Sequence, residues 1–153
     1  MDLEKVQFFN IDTNHIETLE TLLVKDKIVI DFWHSKCTKC PAALEKLNEI
    51  SNKYNNVKFY ACALSLEEGD VDLITDIIDD SWENLTNLYL TIDGKEQIKK
   101  IFDFNSVPFS VIISKDGTIL NKGDPKNIQF DDILNIPTES NNQDSNYEVN
   151  EDF

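Results

Sequence analysis

The fold class this sequence predicts is an α/β layered domain, and three observations predict it. Apolar, β-branched runs alternate along the chain with segments whose apolar residues recur every three or four positions, as strands and their covering helices would. Two of the runs, "KIVIDFWH" (27–34) and "NVKFYACALS" (56–65), are too continuous for strands wetted on one face. They belong inside a sheet covered on both sides. Two shorter runs, 109–113 and 118–120, flank "SKDG", whose Asp116-Gly117 is a hairpin-turn signal.

Each element follows from its own pattern. "KVQFFNI" (5–11) reads as a strand, and "HIETLETLL" (15–23) as a helix, because Ile16, Leu19, Leu22 and Leu23 fall at helical spacing. The strand 27–34 runs straight into Cys37 and Cys40. From Pro41 on, Leu44, Leu47, Ile50 and Tyr54 form one apolar stripe on a helix of about four turns that begins at the cysteines. After the strand 56–65 comes an acid-rich, lysine-free stretch, 66–93. Within it "VDLITDII" makes a helical turn or two around Leu73, Ile74, Ile77 and Ile78. Ile98, Ile101 and Phe102 predict a helix over 94–104, then the hairpin, then a short helix over 127–135. These elements make one domain, residues 1–136. The remainder, 137–153, carries five acids, no base and no periodicity, and reads as an acidic disordered tail.

Composition narrows the function. The chain of 153 residues is 41% hydrophobic and 10% aromatic, enough to build a core. Its formal charge is −15 and all 14 basic residues are lysine, so no guanidinium can grip phosphate with two bonds. Nucleic acid is therefore excluded as an expected partner. The first fifteen residues lack a signal-peptide pattern, and no stretch approaches the roughly 18 apolar residues of a membrane span. A cytoplasmic protein with no membrane partner is the expectation. Three cysteines, two of them close together, argue against a disulfide framework and for redox or metal chemistry.

The cysteine pair carries the chemistry. A C-x-x-C at a strand-to-helix junction lies near unsatisfied backbone N–H groups and the positive end of the helix dipole, and both favour a thiolate. His34, Lys36 and Lys39 add positive charge nearby, which should pull Cys37 below the free-thiol value of roughly 8.5. Zinc is the rival reading. A structural zinc site wants four ligands, and no second C-x-x-C or H-x-x-x-H is present. Cys62, within "FYACAL", reads as a small buried hydrophobe. Asp31, between Ile30 and Phe32, should be buried, with its proton affinity raised.

"VIDFWHSKCTKCP" resembles the active-site segment of the thioredoxin family, in which a strand ending Asp-Phe-Trp leads to Cys-x-x-Cys. "IKKIFDFNSVPFSVIISKDGTIL" is similar to the family's later segment, with its helix, its Val-Pro and its apolar hairpin. The resemblance covers most of residues 5–123. It implies a thioredoxin fold: a central mixed β-sheet flanked by helices, here with an acidic insertion before the cis-proline. It also implies catalytic roles for Cys37, Cys40 and Asp31. Cys37 would attack a substrate disulfide, Cys40 would resolve the mixed disulfide, and Asp31 would accept the Cys40 proton. Trp33, Val107, Pro108 and Phe109 would form the substrate face, Pro108 being the cis-proline. The implied activity is thiol-disulfide exchange with disulfide-containing proteins by a monomer without cofactor or metal. A reductase or low-molecular-weight thiol would recharge it.

Departures leave the electron direction open. Lys36 precedes the first cysteine where thioredoxins have Trp, and Thr38-Lys39 replaces their Gly-Pro. Pro41 comes earlier than the usual helix proline, and Phe109 stands in place of Thr. The long 66–93 stretch is more like the tryparedoxin and nucleoredoxin branch, or bacterial thioredoxin relatives with an insertion before the proline. The alternative function is a thioredoxin-fold protein-binding module or chaperone with little redox activity.

Overall fold

The computed structural model describes residues 2–135. The tail expected over 137–153 lies outside the described residues. Among the described residues seven strands form one sheet in the order β2-β1-β5-β4-β3-β6-β7. They are β1 (Phe8–Asn10), β2 (His15–Glu17), β3 (Lys27–Trp33), β4 (Val57–Leu64), β5 (Thr86–Leu90), β6 (Phe109–Ser114) and β7 (Ile119–Gly123). β3, β4 and β5 run parallel, while β1, β6 and β7 each pair antiparallel with their neighbours, so the sheet is mixed. Among the described residues five α-helices cover it: α1 (Leu19–Leu22), α2 (Cys40–Ser51), α3 (Val71–Ile77), α4 (Ile92–Phe102) and α5 (Phe130–Leu134). No helix among the described residues is long and apolar enough to cross a membrane.

The two-residue period of β3 divides the core. Ile28, Ile30 and Phe32 pack with Leu22, Ile98 and Phe102 of α1 and α4, whereas Val29 and Trp33 pack with Leu44, Ile74 and Phe130 of α2, α3 and α5. Every residue of β3 is buried, as a central strand covered on both faces requires.

Four expectations change. The segment 15–23 is not one helix: Asn10 bonds the backbone N–H of Asp12 and Thr13, the chain turns at Asn14 with φ 64°, and β2 returns along β1. Ile16, counted in the helical stripe, is 58% exposed on that edge strand. α2 begins at Cys40 rather than at Cys37 and ends at Ser51, short of Tyr54. The 66–93 stretch is not wholly an insertion, because it supplies β5, which sits between β1 and β4. α4 begins at Ile92, where the Thr91 side chain accepts the Gly94 N–H, and it stops at Asp103 in the left-handed region.

Candidate active site

The parallel strands β3 and β4 end at one edge of the sheet, and the chain leaving β3 there makes a turn before α2 starts. The Cys37 N–H donates to the His34 carbonyl at 3.2 Å and the Cys40 N–H to the Cys37 carbonyl at 3.4 Å. These bonds fold residues 34–40 so that both sulfurs meet: Cys37 and Cys40 form a disulfide with Cα atoms 5.4 Å apart. Pro41, in the first turn, gives up an N–H that has no intrahelical acceptor, so α2 starts there at no cost in backbone bonding. Cys40 is fully buried and Cys37 half-buried. Only the first sulfur faces an incoming partner.

Across from the pair, the Val107–Pro108 peptide is cis, and the Val107 carbonyl oxygen lies 3.7 Å from Cys37 Sγ. Val107, Pro108 and Phe109 are all partly exposed. Phe109 offers a single free face, since its ring stacks on Phe104 with centroids 4.1 Å apart, and Phe104 in turn stacks on Phe32. Trp33 takes a different place from the substrate face expected for it. At 2% exposure it lies in the core layer with Cys40, edge-on to Trp82 at 6.0 Å. It supports the floor of the site from beneath.

Asp31 shares its face of β3 with Trp33 and Val29, the face that α2 covers. It is 1% exposed, and burial pushes its carboxyl up to about 7, helped by the negative charge of Asp124 and opposed by a hydrogen bond from Ser110. Ser110 lies opposite Asp31 in the antiparallel β3/β6 ladder and donates its hydroxyl to Asp31 Oδ1 at 2.6 Å. Oδ2 is buried with no partner among the described residues. A carboxyl with one anchored oxygen, one free oxygen and a proton affinity near neutrality can take up or give back a proton in this layer, which Cys40 shares. Ser110 has no sequence signal of its own, because its role comes from strand register.

Lys36 and Lys39 flank Cys37 in the turn, and both are exposed. Burial, with repulsion from Lys95 and Lys36, holds the His34 imidazole below its ordinary range, and its Nδ1 accepts the Lys36 N–H at 3.2 Å. The imidazole shapes the turn, and the downward shift weakens the positive contribution expected of it. Cys62 is fully buried on the opposite face of the sheet, where burial and then the Asp31 charge raise its thiol well above the ordinary value. Among the described residues no group of three or more His, Cys, Asp or Glu side chains could hold a metal ion.

Comparison with known proteins agrees with this architecture. A thioredoxin-like family profile matches residues 25–119, from just before β3 to the first residue of β7, and the chain belongs to that family. The thioredoxin domain of a thiol-disulfide oxidoreductase from Bacteroides vulgatus is similar in fold: TM-score 0.65, 15% identity, 85% of this chain and 88% of that one. A thiol:disulfide interchange protein from a Bacteroides species gives 0.66, 15% identity and 88% of both chains. The pneumococcal exposed lipoprotein thioredoxin of Streptococcus pneumoniae gives 0.62 and 18% identity, over 77% of this chain and 87% of that one. Comparison with curated proteins returns no match.

Proposed function

We propose that this chain is a thiol-disulfide oxidoreductase that exchanges disulfides with protein substrates through Cys37 and Cys40. The observation that carries the reading is the unequal burial of two bonded sulfurs, one half-buried beneath the Val107 carbonyl and the other sealed in the core layer. In the reduced protein the Cys37 thiolate attacks one sulfur of a substrate disulfide, forming a mixed disulfide and expelling the other sulfur as a thiolate. Cys40 gives its proton to a base, the role that suits Asp31, and its sulfur attacks Cys37. The Cys37–Cys40 bond forms and the second substrate sulfur leaves. With one proton from the base and one from the medium for its two thiolates, the substrate has gained two electrons and two protons, and the pair must be reduced again by a reductase or a small thiol. In reverse, the oxidised pair delivers a disulfide.

The test is a trap. Cys40→Ser should hold substrate as a covalent adduct that dithiothreitol releases, and Cys37→Ser should lose turnover of an insulin-type substrate. Only noncovalent partners with Cys40→Ser, together with equal turnover by Cys37→Ser and wild type, would reject exchange in favour of a binding module. Titrating the pair against glutathione then fixes the electron direction.

A further inference from the structure

A groove of about 520 Å³ leaves the site at Pro108 and follows the outer side of α2 to the loop and helix after β7. Its floor is apolar, made by Leu47, Ile50, Ile128 and Phe130. Its rim is basic: Lys39, Lys46 and Lys53 stand along α2 and just beyond its end, with Lys126 across from them. Seven residues are two helical turns, so successive lysines of the row are about 10 Å apart, the length of roughly three residues of extended chain.

Four lysines against the two aspartates that share the lining, Asp124 and Asp131, make a locally positive channel on a chain of net charge −15. The two acids are spent on Lys126 and Lys53, each at 3.8 Å. Lys39 and Lys46 have no acidic partner among the described residues. Lys39 lies between the two cysteines in sequence, so the row starts at the reacting sulfurs. At physiological salt the screening length is about 8 Å, so acids farther off on the body add little to the field in the groove, while Glu45 and Glu49 of α2 flank Lys46 without lining it.

We propose that this groove holds an extended, acidic, leucine-type segment of the same protein whose disulfide meets Cys37, so that substrates are selected by acidic sequence beside their cystine. The inference rests on the exchange reading for its purpose. The apolar floor takes the aliphatic side chains and the lysine row takes the carboxylates.

The test is binding of a labelled, cysteine-free peptide of alternating Glu and Leu to the full chain, followed by fluorescence anisotropy. The control replaces each Glu with Gln. The acidic peptide should bind about fivefold tighter at low salt, the yield of two exposed charge contacts, and the advantage should shrink as salt rises. The Lys39→Gln/Lys46→Gln variant should lose the advantage and Lys39→Arg/Lys46→Arg should keep it. Equal affinity for both peptides, or an advantage that survives Lys39→Gln/Lys46→Gln, overturns the proposal. So does binding that emerges only when the five tail acids are made amides (Glu139→Gln, Asp144→Asn, Glu148→Gln, Glu151→Gln, Asp152→Asn), because the occupant is then the chain's own terminus. The peptide has no sulfur, so its binding is independent of thiol exchange. A protein that binds it yet fails the trap loses only the exchange reading, and one that passes the trap without charge preference loses only this one.

Discussion

Asp31 concentrates the site's acid–base behaviour in one carboxyl. Its folded-state value of about 7 lies roughly three units above that of an unfolded aspartate. Between about pH 4 and 7 the folded chain therefore holds a proton that the unfolded chain has released, and stability falls as pH rises through that window. Above it the loss is constant, on the order of 4 kcal/mol. Asp31→Asn should flatten this slope and, at pH 8, should be the more stable protein by about 2–4 kcal/mol in urea melts. Ser110→Ala removes the bond that opposes burial, so the pH profile of thiol exchange should move to higher pH, with Ser110→Thr restoring it. The burial of Asp31 was legible from Val29, Ile30 and Phe32 around it. Ser110 was not, because a serine seventy-nine residues away becomes a partner only through the pairing of β6 with β3.

Among the elements, α3 and the acid-rich stretch depend on Asp70. Burial alone would raise its carboxyl, but bonds from the Leu66 N–H, Tyr89, Ser65 and the Glu67 N–H lower it instead. The Tyr89 hydroxyl donates at 2.8 Å and the Ser65 hydroxyl at 3.0 Å, which ties the loop after β4 to β5. Asp70→Ala strips the Leu66 and Glu67 N–H groups and the Tyr89 hydroxyl of this acceptor and leaves the Ser65 hydroxyl with the Glu67 carbonyl at 2.7 Å. It should cost about 2–4 kcal/mol in chemical denaturation and raise amide exchange first over residues 66–78. β5 escaped the sequence reading because "TNLYL" offers three apolar residues inside a run of acids. Its two-residue alternation, Leu88 and Leu90 to one layer and Tyr89 to the other, is too short to stand out. β2 escaped for the opposite reason, since Ile16 happens to fall on the helical spacing of Leu19, Leu22 and Leu23. The central strands and the hairpin turn were plain because continuous β-branched runs and Asp-Gly admit few other structures.

For the molecule as a whole, three parallel strands open toward one edge, and the sheet divides the core into two layers with separate cysteine populations. Cys40 belongs to one layer and Cys62 to the other, with β3 and β4 between them. This arrangement followed from the alternation of strands and helices along the chain. The basic groove did not, because Lys126 and Phe130 lie beyond β7 in sequence and meet α2 only through the tertiary fold. The division of the core bears on any chemistry that counts thiols. With the pair bridged, an alkylating reagent should find no target in the native protein until the central sheet itself parts. The rate at which Cys62 becomes labelled, measured by mass spectrometry across a denaturant series, should therefore follow global unfolding rather than local fraying. The third sulfur is thus a ready-made gauge of how often the whole domain comes undone.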